Sequence, residues 1–76
     1  MTLNELKPGA QARIAAVRST NPDLEARLRE VGFAEGDEIE LLARGPFGGQ
    51  PLAVRLNRRI LALRGAEAAA VSLEAP

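Results

Sequence analysis

The run Arg44-Gly45-Pro46-Phe47-Gly48-Gly49-Gln50-Pro51-Leu52 constrains the fold most, because it sets a loop dense in proline and glycine between two stretches of alternating polarity. Before it, Ile39, Leu41 and Ala43 alternate with Glu38, Glu40, Leu42 and Arg44; after it, Leu52, Val54 and Leu56 alternate with Ala53, Arg55 and Asn57. A period of two is that of a half-buried strand, so residues 38–44 and 52–56 are expected to pair antiparallel. Phe47 at the loop's tip then needs an explanation. Either it folds back over the domain as a lid, or it docks on another protein.

The flanking segments supply the rest of a small β fold. Lys7-Pro8-Gly9 is a turn signal, and the following stretch, residues 11–18, reads as a first strand through Ala12, Ile14, Ala16 and Val17. Its alternation slips near Ala15 and Ala16, as a bulge would make it do. Residues 21–32 read as a helix. Asn21 stands at the N-cap, Pro22 at the first helical position, Asp23 and Glu25 in the first turn, and Arg27 and Arg29 in the last. Asp23 with Arg27 and Glu25 with Arg29 are acid-before-base pairs four apart. Leu24, Leu28 and Val31 form the apolar stripe, Gly32 suits the left-handed stop, and Phe33 falls where a side chain packs back onto Leu28. Asn57-Arg58 offers a tight turn into a strand at 59–63. Residues 65–69 are too few for an independent helix, so a single turn leading into a last strand around Val71 and Leu73 is expected. Five short strands and one helix imply a mainly β, small and partly open barrel over residues 1–76.

A chain of 76 residues buries only about 60 % of its unfolded surface, which leaves little room for a deep enclosed active site. It has no cysteine, and so no disulfide, zinc ribbon or thiol nucleophile. No apolar run nears the roughly 18 to 20 residues that cross a bilayer, and the amino terminus has neither a basic start nor a signal-peptide core. A cytoplasmic chain without direct membrane insertion is the expectation. Formal charge is zero, which removes the global field that would draw in nucleic acid or an acidic surface.

Hidden chemistry is limited by the same inventory. With no histidine and no cysteine, only carboxylates and carbonyls remain as metal ligands. Asp37 and Glu38, beside Glu35 and Glu40, are weak candidates for a hard cation, and a solvated acidic face is the commoner outcome. No cofactor is expected. The glycines of 45–49 lack the Gly-Lys-Ser/Thr and the following helix of a phosphate loop. Ser19, Thr20 and Ser72 have no histidine to activate them, so an enzyme is not expected. Arg55, Arg58, Arg59 and Arg64 gather around one hairpin, but two phenylalanines provide little for bases to stack on, so no nucleic acid is expected as partner.

Taken in order, the helix end Arg27-Leu28-Arg29-Glu30-Val31-Gly32-Phe33-Ala34-Glu35-Gly36, the Arg44 to Leu52 loop and Ile60-Leu61-Ala62-Leu63-Arg64 resemble the FeoA family of bacterial ferrous iron transport. The opening Leu3, Leu6 and Gly9 and the Glu67-Ala68 pair fit the same pattern, so the resemblance runs nearly end to end. It implies an SH3-like barrel working in the cytosol beside FeoB, the membrane iron transporter with a GTPase domain, as an accessory or regulator. The same barrel is similar to the carboxy-terminal domain of iron-dependent repressors. Asn57-Arg58 stands where the family often has a glycine turn, and Val31 where leucine is frequent. Partner contacts are expected at Pro46, Phe47, Gly48, Leu28, Arg55 and Arg59. A repressor-type domain sensing metal or peptide, a small nucleic-acid-binding barrel and a weak homo-oligomer stay open as alternatives.

Overall fold

The computed structural model describes residues 1–74. It has strands β1 (Gln11–Val17), β2 (Glu38–Gly45), β3 (Gly49–Leu56), β4 (Arg59–Leu63) and β5 (Val71–Leu73), with helices α1 (Pro22–Val31) and α2 (Gly65–Ala69). The strands form one antiparallel sheet in the order β4-β3-β2-β1-β5. The sheet curls because β1 serves two partners. Gln11 to Arg13 pair with β2, Ile14 to Val17 pair with β5, and the register shifts between Ile14 and Ala16. The expected slip is thus a bulge, which bends the strand and lets Ile14 and Val17, three apart, both point inward.

A second bulge was not legible. The β2–β3 register shifts between Leu41 and Ala43, so Ile39 and Leu41 are buried while Ala43, expected on the same face, is exposed. Leu52, Val54 and Leu56 on β3 all face inward as their alternation requires. Both strands also run further toward the loop than expected, leaving only Pro46, Phe47 and Gly48 between them. A short 3₁₀ turn, Leu3–Glu5, buries Leu3 and precedes buried Leu6. It is an element that so brief a segment does not announce.

α1 closes one end of the barrel. The Asn21 side-chain oxygen accepts from the amides of Asp23 and Leu24 at 3.0 and 3.3 Å, and the Glu25 carboxylate accepts from the Ser19 amide at 3.1 Å. At the other end the Gly32 amide donates to the Arg29 carbonyl and the Phe33 amide to the Leu28 carbonyl, both at 3.1 Å. With Gly32 at φ 121°, this is the paired bond pattern of a Schellman stop. It swings Phe33 back into the core beside Leu28. Leu28 is buried, whereas Leu24 and Val31 are half-buried at the edge of the core. Of the two charge pairs, Glu25 and Arg29 lie 3.9 Å apart, but Asp23 and Arg27 form none. No polar side chain is buried among the described residues. The core is therefore held by apolar burial, at about 1.5 to 3 kcal/mol for each large side chain.

Candidate docking site at a hairpin tip

The link between β2 and β3 is a tight turn rather than an irregular loop. The Phe47 amide donates to the Gln50 carbonyl at 3.2 Å, and the Gln50 amide returns a bond to the Phe47 carbonyl at 3.3 Å. Between them Gly48 and Gly49 have φ of 66° and 86°. Positive φ at both central positions is the mark of a type I′ hairpin turn, which glycine adopts without a Cβ clash.

The base of the tip is anchored on both sides. Arg44 donates from Nη2 to the carbonyls of Asn4 and Leu6, the latter at 2.9 Å, tying β2 to the amino-terminal segment. The Gln50 side-chain oxygen accepts from the Gly65 amide at 2.7 Å, tying β3 to the start of α2. At Gly45 an added Cβ would run into the backbone carbonyl of Gln50, so the two strands approach there as only glycine allows. The anchored base holds out a tip whose aromatic ring is not part of the core. Phe47 is 79 % exposed, flanked by exposed Pro46 and Gly48, so it does not fold back as a lid.

The other expected contact residues lie elsewhere. Leu28 is 2 % exposed and belongs to the core, so it offers no surface to a partner. It shares the core with Phe33, while Leu24 and Val31 of the same stripe pack at the core's edge. Arg55 sits near the far end of β3 from the tip, where its Nη1 is 3.2 Å from Glu40. Arg59 donates to the Val31 carbonyl at the end of α1. Six residues of strand separate Gly49 from Arg55, about 20 Å, so Phe47 and the two arginines do not form one patch. Asp37 accepts from the Asn57 side chain at 3.2 Å, and Glu38 lies 3.8 Å from Arg13. Among the described residues no three potential ligands cluster around a point.

Sequence reasoning missed the two anchors, because nothing in the string marks Arg44 or Gln50 as reaching across the fold. It also missed a signal that was present. From Leu41 to Ala66 there are five arginines, Arg44, Arg55, Arg58, Arg59 and Arg64, and no acidic residue. All ten acids lie in the rest of the chain, so a net charge of zero conceals a basic segment.

In the acidic remainder the Glu35 carboxylate is held by two bonds from one arginine. Arg29 grips Glu35 with two parallel bonds of 3.1 and 3.0 Å and also donates to the Val17 carbonyl at 3.1 Å. Hydrogen bonding from Arg29, helped by its charge, lowers the Glu35 carboxyl from 4.5 to about 2. The bridge fastens the end of α1 to β1. A shallow groove of about 640 Å³ passes Met1, Leu6, Ala10 and Ala12, and none of its lining residues carries a hydroxyl, thiol or imidazole. The Ser19 hydroxyl accepts from the Asn21 amide within the helix cap. No helix among the described residues is long and apolar enough to cross a membrane.

The family model for the FeoA domain matches residues 1–75. Among solved structures, the chain is 39 % identical to FeoA of Stenotrophomonas maltophilia, covering 97 % of this chain and 89 % of that one with a TM-score of 0.86. That protein was solved with zinc and described as a prokaryotic SH3-domain protein and candidate activating factor of ferrous iron transport. Iron(II) transport protein A of Clostridium thermocellum is 34 % identical, with 97 % of this chain and 44 % of that one covered and a TM-score of 0.86. A manganese-dependent transcriptional repressor shares the fold at 19 % identity, over 97 % of this chain and 35 % of that one, with a TM-score of 0.86. No curated protein matches. The five-stranded barrel, the helix α1 that caps it and the matched sequence agree, and the chain belongs to the FeoA family of small SH3-like proteins associated with ferrous iron transport.

Proposed function

We propose that this chain is a non-enzymatic accessory module of ferrous iron uptake that docks on the cytosolic GTPase region of an FeoB-type transporter through its β2–β3 tip. The observation that carries the reading is Phe47, 79 % exposed on a turn whose base is tied down on both sides. An aromatic ring held out on a rigid support gives contact area at little entropic cost, which is how binding anchors are built. Family membership supplies the transport system in which the partner is sought. The absence of any histidine or cysteine fits a role played by surface rather than by reaction.

The test is a titration of the isolated cytosolic GTPase domain into isotope-labelled chain, followed amide by amide. Perturbations centred on Gly45 to Gln50 are expected. Perturbations centred on α1 with the tip unchanged would move the docking face to the helix, and no binding would remove the transporter's GTPase region as the partner.

A further inference from the structure

We infer that the free edge of β4 is a second binding site, one that takes an extended acidic segment of another protein as an added strand. This goes beyond the proposed function and does not depend on where the transporter docks. The two edges of the sheet are treated differently. β5 is covered, since the Leu73 amide donates to the Met1 carbonyl at 2.8 Å and Thr2 bridges Ser72. Among the described residues β4 has no such cover. Leu56 pairs with Arg59 across the two-residue turn, which fixes the alternation: Arg59, Leu61 and Leu63 bond to β3, and the amides and carbonyls of Ile60 and Ala62 point away from the sheet. Among the described residues no other backbone bond reaches them. Ile60 is 64 % exposed on the same strand.

Charge selects the occupant. Arg58 and Arg64 stand at the two ends of β4, and neither forms an ion pair among the described residues, while no acid occurs between Leu41 and Ala66. Arg58 holds its place at φ 73°, a left-handed backbone that arginine adopts only with strain. A second copy is disfavoured as occupant, because antiparallel pairing about Leu61 would set Arg58 opposite Arg64. An incoming strand with carboxylates about six positions apart would instead meet an arginine at each end, some 20 Å apart, while its main chain bonds to Ile60 and Ala62.

The experiment uses the full chain, isotope-labelled, and the blocked octapeptide Glu-Glu-Thr-Val-Thr-Val-Glu-Glu, with a control carrying lysine for every glutamate. Amide shifts centred on Ile60 and Ala62 with the acidic peptide, and none with the control, are expected. Ala62→Pro removes an outward amide and leaves the β3 ladder intact, and it should weaken binding roughly tenfold. The double variant Arg58→Glu with Arg64→Glu should weaken it at least as much, and it decides the matter if the proline variant does not fold. Shifts centred elsewhere, no shift at about 1 mM peptide, or wild-type affinity in the folded variants would overturn the inference. So would a twelve-nucleotide deoxythymidine strand that binds the same arginines more tightly, since the edge would then belong to nucleic acid.

Discussion

Phe33 and Phe47 are the chain's two aromatic residues, each next to a glycine in left-handed backbone, yet one is 1 % exposed and the other 79 %. The difference lies in where the backbone sends the chain after the turn. At Gly32 the helix stop folds the next residue back toward Leu28, and a core already lies beneath it. At Gly48 and Gly49 the turn reverses the β2–β3 ribbon beyond Leu52, where pairing with β4 ends, and Phe47 is left outside the core. Both corners are locked by arginine and backbone bonds, through Arg29 to Glu35 and Val17 in one case and through Arg44 to Asn4 and Leu6 in the other. Rigidity is therefore common to both, and only one of the two rings is used by the fold.

Core truncation at the helix corner gives the largest expected effect. Phe33→Ala should cost about 3 to 5 kcal/mol and Leu28→Ala about 2 to 5 kcal/mol, a large share of what so small a domain has. Denaturant melts measure both. A loss under about 1 kcal/mol at Phe33 would place the ring at the surface and erase the contrast with Phe47.

Most of the fold was readable because its signals are local. Asn21, Pro22 and Gly32 bound α1, alternation placed β3, and the slip at Ala15 and Ala16 marked the bulge that curls β1. The bulge at Leu42 was not readable. Its only trace is a small side chain, Ala43, that tolerates either face. The site divides in the same way. Pro46, Gly48 and Gly49 announce a tip, while Arg44 reaching Leu6 and Gln50 reaching Gly65 are contacts between distant segments that no spacing rule encodes. Leu28 was placed in both core and contact surface by the sequence, and its 2 % exposure resolves the two. Arg55 and Arg59 were expected to share the contact surface with the tip, but they stand on β3 and β4 beside the Asn57-Arg58 turn, at the other end of β3 from Phe47.

The tip corner should respond to backbone crowding rather than to loss of its ring. Gly45→Ala forces the Gln50 carbonyl to move and should cost about 1 to 3 kcal/mol, read as a lowered denaturation midpoint. A neutral result would mean that the strands part easily there and that the base of the tip is not rigid.

A smaller effect tests the lock at the helix corner. The Glu35 carboxyl is depressed from 4.5 to about 2, chiefly by hydrogen bonding from Arg29. A depressed carboxyl stabilises the folded state above its unfolded value and loses that contribution as pH falls through the folded one. Wild type should therefore exceed Glu35→Gln in melting temperature above about pH 4.5, and the gap should close toward pH 2. A gap that stays constant across that window would mean that the Arg29 bridge does not hold in solution.

The smallest expected change in stability coincides with the largest expected change in binding, at Phe47. Phe47→Ala should alter the unfolding free energy by no more than about 0.5 kcal/mol, because its ring covers no core. The same substitution should weaken the complex with the cytosolic GTPase domain by 2 kcal/mol or more, on the order of thirty-fold. Melting and titration are carried out on one preparation, so that binding is counted per folded molecule. Unchanged melting with a complex weakened about thirty-fold is the predicted result, and unchanged affinity in a fully folded Phe47→Ala chain would contradict it.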